Sequence, residues 1–270
     1  MHVNADPATY AAFAAQGFAR LGRVVDDERL AALRARVDDL MLGRVTLDGL
    51  FYQHDSPTGA YEDLTYGKGW IGPSLAYRKL EKLERDDVVR AWIENPLFGA
   101  IAHTLVGPDV SLYRAMLMNK AAQGGTALPW HQDGGKFWGI DRMPTLQIWT
   151  ALDDAPEEAG CLEFVPGSHL AGLCRPEGGS VDAATLEREH AEQRRVRLPV
   201  VAGEAVLIHN HVWHRSGLNH TPHPRRALSF CYMDAATRCL RTKRAPRDFA
   251  RVFAGPSLRG TGSTPSRSRI

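Results

Sequence analysis

One stretch of eighteen residues, HNHVWHRSGLNHTPHPRR, contains five of the eleven histidines of the chain. It runs from His209 to Arg226 and ends in two arginines. Because imidazole is a ligand for zinc, copper, iron and nickel, the cluster raises the question of a metal site. His209, His211 and His214 are all possible ligands at this point.

A second group of possible ligands lies upstream in LPWHQDGG, where His131 and Asp133 are two residues apart. In an extended segment such residues point to the same side, so both can reach one ion. Together with a distant histidine they would form a 2-His-1-carboxylate triad, which holds Fe(II) and leaves positions open for substrates. The similar pair His190 and Glu192 lies in a polar, arginine-rich segment, and we do not regard it as a ligand pair.

These residues must be positioned by strands, because the pattern after Asp109 is strand-like. The candidate strands are short, apolar or alternating, and are separated by turn residues. They are SLYRAMLMNK, TLQIWTALD, CLEFVPG, VRLPVV, AVLIH, RALSFCYMD and a short strand around His214. Closely spaced strands without regular helices between them favour a jelly roll or sandwich over a parallel sheet. A jelly roll can bring a late strand, with His214, beside an early one.

The chain before this point is predicted to be helical. Asp6-Pro7 is typical of a helix start and Gly17 of a helix end. Asp26 precedes DERLAALRARVDDLML, and DDVVRAWIENPLFGAIAHTLVG also has helical spacing. Residues 50–74 are rich in Gly, Tyr and Asp and predict a long loop that could act as a lid.

We therefore predict a mostly β fold with flanking helices, in a single domain over residues 1–254. Its helical part covers residues 1–108 and its jelly-roll core residues 109–235. Within the core, DAATLEREHAEQRR predicts an exposed helix. The basic, polar residues 255–270 predict a disordered, solvated tail.

Composition favours an ordinary globular protein of the cytoplasm. The 270 residues are 44% hydrophobic and 24% charged, and the net charge of +2 indicates no polyanionic partner. Four cysteines without C-x-x-C spacing argue against a zinc knuckle. The amino-terminal residues do not resemble a signal peptide, and no apolar run approaches the roughly 18 residues that span a bilayer. We expect a monomer or homodimer that acts on a small molecule, without a nucleic-acid or membrane partner.

Taken together, the motifs resemble the phytanoyl-CoA dioxygenase (PhyH) family of Fe(II)/2-oxoglutarate oxygenases. MLMNK, WHQD, GCLEFVPGSH, HRSGLN and PRRA follow one another in family order and with family spacing. The start FAAQGFARLGRVVDDERLAALRARVDDL is similar to the family's N-terminal helices. The resemblance implies a double-stranded β-helix core (cupin-like), Fe(II) as cofactor, and 2-oxoglutarate and O2 as cosubstrates.

The resemblance also selects residues within the histidine cluster. It implies that His214 is the distal metal ligand, because the family's histidine opens an H-x-S-G stretch. It implies that Arg225, eleven residues later, binds the far carboxylate of 2-oxoglutarate, with Ser216 beside it. Arginine suits that role because its planar guanidinium binds carboxylates through two hydrogen bonds. Arg226 is expected on the opposite face of its strand. Three further residues fall where the family has cosubstrate contacts, namely Lys79, Met116 and Trp149.

The other polar residues near these motifs receive weaker assignments. His209 is expected to be a buried histidine that supports the site. His211 either contacts the substrate or lies on a polar rim. His220 and His223 are expected to be solvated in a turn, and Lys120 to be exposed at a strand end.

The substrate is expected to approach from the open side of the metal. The residues next to WHQD that could line this side are Gln132, Lys136, Phe137 and Trp138, with His211 from the histidine cluster. Tyr52, His54, Tyr61, Tyr66 and Trp70 in the loop could also line it, or could simply close over the core. Such residues suit a substrate with an apolar body and an anionic or polar group.

The predicted function is hydroxylation of a C–H bond in a small-molecule metabolite, with release of succinate and CO2. Asp133 argues against halogenation, since the halogenating relatives have a small residue at this position. The alternative is a metal-binding jelly roll without oxygenase activity, such as an isomerase or a ligand sensor. That alternative needs the metal triad but not Arg225.

Overall fold

The computed structural model describes residues 5–67, 69–243 and 246–255. Within them the chain forms six α-helices and thirteen strands, and every strand pair is antiparallel. The helices are α1 (Pro7–Gln16), α2 (Asp27–Leu42), α3 (Asp87–Ile93), α4 (Pro96–Leu105), α5 (Ala183–Arg188) and α6 (Ala191–Arg194). Short 3-10 segments cover Tyr61–Asp63, Leu83–Arg85, Lys136–Trp138, Glu157–Ala159 and Ser168–Ala171.

The strands form two sheets. In spatial order, the large sheet contains β1 (Phe18–Arg23), β10 (Glu204–Ile208), β6 (Leu146–Ala151), β12 (Arg225–Asp234), β4 (Val110–Lys120), β3 (Tyr77–Glu81) and β2 (Phe51–His54), and β13 (Arg251–Phe253) also pairs with β4. The small sheet contains β8 (Gly179–Ser180), β5 (Leu128–Gln132), β11 (Trp213–Ser216), β7 (Leu162–Val165) and β9 (Val196–Leu198). The predicted mostly β, jelly-roll fold is confirmed.

The large sheet has two different faces because side chains alternate along each strand. On β12, Leu228, Phe230 and Tyr232 belong to the main core, which also contains the buried face of α2. Arg225 and Ser229, which alternate with them, line a cavity on the opposite face. One face of the sheet is therefore covered by helices, and the other faces the small sheet.

The predicted starts of the first helices are confirmed. The Asp6 side chain accepts a hydrogen bond from the Ala8 N–H, and the Asp26 side chain accepts one from the Arg29 N–H. The predicted long helix around Pro96 is two helices, because Asn95 caps α4 immediately before the proline. The predicted exposed helix is also interrupted, at His190, whose φ of 51° is left-handed.

The N-terminal part contains strands as well as the predicted helices. β1 begins directly after Gly17, whose φ of 85° ends α1, and pairs with β10. β2 lies inside the predicted loop, and β3 joins it to β4. Residues 1–108 therefore contribute β1 and β2, which stand at the two ends of the strand order, and β3 beside β2.

Two further predictions concern the ends and surface of the chain. The predicted tail lies outside the described residues from 256 onward, whereas the N–H of Gly255 donates to Asp109 Oδ1 at 3.1 Å. Among the helices that the structure describes, none combines the length and the apolar character needed to cross a bilayer.

Candidate active site

A cavity of about 280 Å³ lies between the inner face of the large sheet and the small sheet. Its wall includes side chains from β3, β4, β6 and β12 on one side and from β5 and β11 on the other. All eight residues predicted for the metal and the cosubstrate line it, namely His131, Asp133, His214, Arg225, Ser216, Lys79, Met116 and Trp149. Residues far apart in sequence are thus brought to one site.

His131 and His214 face each other on neighbouring strands of the small sheet. They are register partners in the β5–β11 pair, and their ring centroids are 4.1 Å apart. Each Nδ1 is hydrogen-bonded to the carbonyl oxygen two residues earlier, that of Pro129 at 2.8 Å and that of Val212 at 2.9 Å. Because a carbonyl only accepts, each Nδ1 carries the proton and each Nε2 has a free lone pair, as a metal ligand requires.

Burial keeps the His131 imidazole neutral. Desolvation, with the nearby His214 ring, lowers the pKa of His131 to about 4. At neutral pH the ring therefore does not compete with a metal ion by binding a proton.

Asp133 follows directly after β5, and its N–H donates to the Asn210 carbonyl at 2.8 Å. Its Oδ1 lies 2.9 Å from Arg114 Nη2, and its Oδ2 accepts from Gln147 Nε2 at 2.6 Å. Burial alone would raise the pKa of Asp133, but the Arg114 guanidinium and the hydrogen bond from Gln147 hold it well below its usual range. The carboxylate is therefore ionised.

The donor set fits Fe(II), although it is not drawn together tightly. Asp133 Oδ2 is 3.9 Å from His214 Nε2, and both carboxylate oxygens are engaged by Arg114 and Gln147. In the part of the chain that the structure describes, no three His, Cys, Asp or Glu side chains are already spaced to hold a metal ion. The two neutral imidazoles and one carboxylate are nevertheless the ligand types of the facial triad.

Arg225 is a buried cation without a carboxylate partner. It is 3% exposed, and Nη2 donates to the Gly160 carbonyl at 2.9 Å. Its buried Nε has no hydrogen-bond partner among the described residues, and none of their carboxylates forms an ion pair with it. Burial lowers the pKa of Arg225 to about 10, and the guanidinium lies 5.7 Å from the Trp149 ring centroid. Such an arginine is suited to an incoming anion.

Arg226 occupies the opposite face of β12. Its Nε and Nη2 lie 2.8 and 2.9 Å from the two carboxylate oxygens of Asp153, and Nη1 contacts Asp38 of α2. Arg226 therefore anchors α2 and the end of β6 to the sheet and takes no part in the cavity.

Lys79, which was expected to contact the cosubstrate, already has a carboxylate partner. Its Nζ pairs with Glu81 Oε1 at 2.9 Å and lies 5.2 Å from the Phe51 ring centroid. It lines the cavity, but it is already partnered by a carboxylate.

The predicted substrate residues separate into different environments. Phe137 lines the cavity and is 59% exposed. Gln132 also lines the cavity, but its amide is occupied by backbone atoms of Gly172, Cys174 and His211, so it braces two loops. Its contact with substrate stays a prediction, although its amide is already engaged.

Two of the other predicted substrate residues are not part of the cavity lining. Residues 136–138 form a single 3-10 turn, which directs its three side chains differently. Trp138 is buried against Tyr113, with ring centroids 4.1 Å apart, and Lys136 lies on the surface near Glu177. Neither side chain lines the cavity of this structure, and their contact with substrate stays a prediction.

His211 also lies outside the cavity lining, and its neighbours explain why. Its ring is 5.3 Å from that of His209, and its N–H donates to His209 Nδ1 at 3.0 Å. His209 in turn packs against His169, with centroids 4.7 Å apart. The structure places His211 in this packed group of histidines with its Nε2 buried, and both alternatives, substrate contact and polar rim, stay predictions.

The loop aromatics are mostly structural. Tyr61 lines the cavity, whereas Tyr52 and His54 pack on Tyr77, with centroids 5.1 and 4.0 Å away. Two residues lie elsewhere: Trp70 donates to the Met41 carbonyl, and Tyr66 is 79% exposed.

Sequence reasoning missed several polar residues in the cavity wall, and four of them bear on its charge or on the Asp133 carboxylate. Three of them lie on the same strand face as a predicted residue, so strand periodicity could have found them. Arg114 and Lys120 are two and four residues from Met116 on β4, and Gln147 is two residues from Trp149 on β6. The fourth, Arg78, gave no such signal. The prediction that Lys120 is exposed is wrong, because it is 3% exposed and faces inward.

Comparison with known proteins now identifies the family. The model of the family described as phytanoyl-CoA dioxygenase (PhyH) matches residues 13–227. The chain belongs to the phytanoyl-CoA dioxygenase family. This confirms the resemblance drawn from the ordered motifs.

Individual relatives agree with this assignment. Phytanoyl-CoA dioxygenase domain-containing protein 1 of Danio rerio is 32% identical over 158 residues, covering 52% of this chain and 54% of the relative. L-Proline trans-4-hydroxylase of Streptomyces griseoviridis is 30% identical over 176 residues, covering 54% and 63%. The chain thus spans about half the length of the first curated relatives it matches.

Solved structures support the same fold. The α-ketoglutarate-dependent epimerase SnoN from nogalamycin biosynthesis is 25% identical, with a TM-score of 0.67 and 89% coverage of both chains. EctD from S. alaskensis, solved with 2-oxoglutarate and 5-hydroxyectoine, is 22% identical, with a TM-score of 0.70 and coverage of 93% and 85%. The chain therefore has the fold of enzymes described as α-ketoglutarate-dependent or solved with 2-oxoglutarate.

Proposed function

We propose that this protein is an Fe(II)/2-oxoglutarate-dependent oxygenase that hydroxylates a C–H bond of a small-molecule metabolite. The observation that carries the proposal is Arg225, a buried guanidinium without a carboxylate partner in the same cavity as His131, Asp133 and His214. A metal site alone does not need such a cation, whereas a dicarboxylate cosubstrate does.

His131, Asp133 and His214 would hold the iron, which, with bound 2-oxoglutarate, supplies the oxidising chemistry of the family. The Pro129 and Val212 carbonyls fix the two imidazoles in the ligand tautomer.

The remaining residues bind and orient the cosubstrate. Arg225 and the hydroxyl of the buried Ser216 would bind its far carboxylate. Trp149 and Met116 supply apolar walls that exclude water from the chain between its two ends.

The overall reaction divides O2 between two products. One oxygen atom enters succinate as CO2 leaves 2-oxoglutarate, and the other enters the substrate as a hydroxyl group. Hydroxylation is the proposed outcome because Asp133 occupies the position that halogenating relatives leave to a small residue. Among similar structures, SnoN is described as an epimerase and SnoK as a carbocyclase, so product analysis must distinguish hydroxylation from these outcomes.

We further propose that the protein acts in the cytoplasm as a monomer or homodimer, without a nucleic-acid or membrane partner. All four cysteines are free, as in proteins of a reducing compartment.

Release of succinate from 2-oxoglutarate tests the proposed function. We expect iron-dependent succinate formation by the wild type with pooled metabolites and none by His131→Ala. His190→Ala is the matched control, because His190 belongs to the rejected pair on the surface. Equal succinate formation by wild type and His131→Ala would contradict the proposal. Binding of iron without measurable 2-oxoglutarate affinity would favour the isomerase or sensor alternative.

A further inference from the structure

Two buried cations face each other at one end of the cavity. Lys120 of β4 and Arg225 of β12 are direct register partners, each is 3% exposed, and both line the cavity. Like charges directly opposite on antiparallel strands repel each other. Among the described residues, no carboxylate forms an ion pair with either cation.

The hydrogen bonds of the pair do not neutralise its charge. Lys120 Nζ donates to the Thr126 carbonyl, and Arg225 Nη2 donates to the Gly160 carbonyl at 2.9 Å. Both acceptors are neutral. The Nε of Arg225 remains without a partner.

The surrounding charges leave this end of the cavity short of negative charge. Arg78, a further cation of the wall, acts on Lys120 as well, whereas Asp55 acts on both Lys120 and Arg225 as an opposing carboxylate. Asp153 also acts on Arg225, but it is paired with Arg226 on the other face of β12. Asp55 accepts from the Thr126 hydroxyl at 2.9 Å and lies outside ion-pair distance of all three cations. Burial first, and then Arg225, lower the pKa of Lys120 well below its usual value.

We propose that Lys120 is a second anchor for the far carboxylate of the cosubstrate, and that it acts jointly with Arg225. This inference rests on the proposed function. A carboxylate placed between the two cations would replace their repulsion by two attractive contacts. The guanidinium offers a planar pair of donors and the ammonium a flexible point charge, so one carboxylate can satisfy both.

Lys79 is less well placed for this role. Its register partner on β4 is Met118, two residues before Lys120, and its ammonium already pairs with Glu81. The cation directly opposite Arg225 is therefore Lys120.

Comparison of two ligands tests the role of Lys120. 2-Oxovalerate has the keto acid and the chain length of 2-oxoglutarate but ends in a methyl group. Calorimetry without oxygen, on protein loaded with Fe(II), would give the Kd of each ligand for wild type, Lys120→Met and Lys120→Arg. Lys82→Met is the matched control, since Lys82 is exposed and outside the cavity.

We expect Lys120→Met to weaken 2-oxoglutarate binding by about tenfold to a hundredfold, the usual effect of losing a charged hydrogen bond. Binding of 2-oxovalerate should change less than about threefold, and Lys120→Arg should recover part of the loss. Equal weakening of both ligands, or unchanged 2-oxoglutarate affinity, would overturn the assignment of Lys120. Failure of the wild type itself to bind 2-oxoglutarate would instead overturn the proposed function.

A second variant covers the case in which Lys120→Met does not fold. Lys120→Gln removes the charge but keeps an amide N–H that can donate to the Thr126 carbonyl, so it should fold as the wild type does. It should lose affinity for 2-oxoglutarate and keep that for 2-oxovalerate. Equal affinity of wild type and Lys120→Gln for 2-oxoglutarate would contradict the proposal.

Discussion

Replacing Arg225 and Arg226 separately by methionine should affect different properties, although the two residues are neighbours in the chain. Arg225 faces the cavity with one hydrogen bond to the Gly160 carbonyl, whereas Arg226 holds Asp153 through two contacts of 2.8 and 2.9 Å. Binding of 2-oxoglutarate should therefore depend on the first residue and stability on the second.

The expected magnitudes follow from burial and pairing. Arg225→Met removes one hydrogen bond but also the cost of burying an unpaired charge, so the free energy of unfolding should change by less than about 1 kcal/mol. Arg226→Met breaks a largely buried ion pair. Asp153 would still form an ion pair with Arg34, whose Nε lies 3.3 Å from Asp153 Oδ1. We therefore expect the free energy of unfolding to fall by about 2–3 kcal/mol, less than the full penalty of an isolated buried charge.

The effect on cosubstrate binding should be reversed. Removing the buried charged partner of a carboxylate lowers the binding free energy by about 2–5 kcal/mol. Arg225→Met should therefore weaken 2-oxoglutarate binding at least about thirtyfold. Arg226→Met should bind 2-oxoglutarate as the wild type does.

Urea denaturation of the metal-free protein measures stability, and calorimetry of the metal-loaded protein measures affinity. The reasoning would be refuted if Arg226→Met weakened 2-oxoglutarate binding as much as Arg225→Met, or if Arg225→Met bound it normally.

Three further substitutions test the surroundings of the site. Gln147→Leu removes the 2.6 Å donor to Asp133 and should lower Co(II) affinity about 10–100-fold in a titration; unchanged affinity would contradict this role. Gly160 has φ 69°, and a Cβ added there would lie 2.4 Å from the Gly217 carbonyl oxygen. Gly160→Ala should therefore lower the free energy of unfolding by about 2–4 kcal/mol in urea denaturation. In the control Gly217→Ala the added Cβ meets no atom within 4 Å, so the free energy of unfolding should change little. Burial, followed by the neighbouring histidines, lowers the pKa of His209 to about 3 in the folded protein. The neutral His209 therefore stabilises the fold fully above about pH 6.5, and this stabilisation is lost as the pH falls towards 3. The metal-free wild type should lose about 2 kcal/mol through this residue between pH 7 and 5, and His209→Asn should show a shallower decline; parallel pH profiles would refute this.

Local sequence signals singled out His131 and Asp133, whereas the choice of His214 and Arg225 within the histidine cluster rested on the family resemblance. His131 and Asp133 could be found because an extended HxD places both side chains on one face. Alternation along one strand predicted that Arg225 and Arg226 lie on opposite faces. In the structure Arg225 lines the cavity, and Arg226 pairs with Asp153 on the other face of β12. The long central strands were predictable for the same reason, since β4 and β12 have continuous apolar patterns.

The missed features depend on pairing between distant strands. Lys120 looks like a solvated strand end in the sequence, whereas in the fold it is buried, pairs in register with Arg225 and faces the cavity. Arg114 reaches Asp133 only when β4 and the segment after β5 pack across the cavity. β1 and β2 are short and lack strong alternation, so their sheet partners and not their own residues determine them.

Anaerobic absorption spectroscopy with Fe(II) and 2-oxoglutarate tests the central claim most directly. Chelation of Fe(II) by a keto acid produces a visible charge-transfer band that neither component gives alone. We predict this band for the wild type, its loss in His131→Ala, and a much higher 2-oxoglutarate requirement in Arg225→Met. A wild-type protein that binds Fe(II) but shows no band at saturating 2-oxoglutarate would contradict the account.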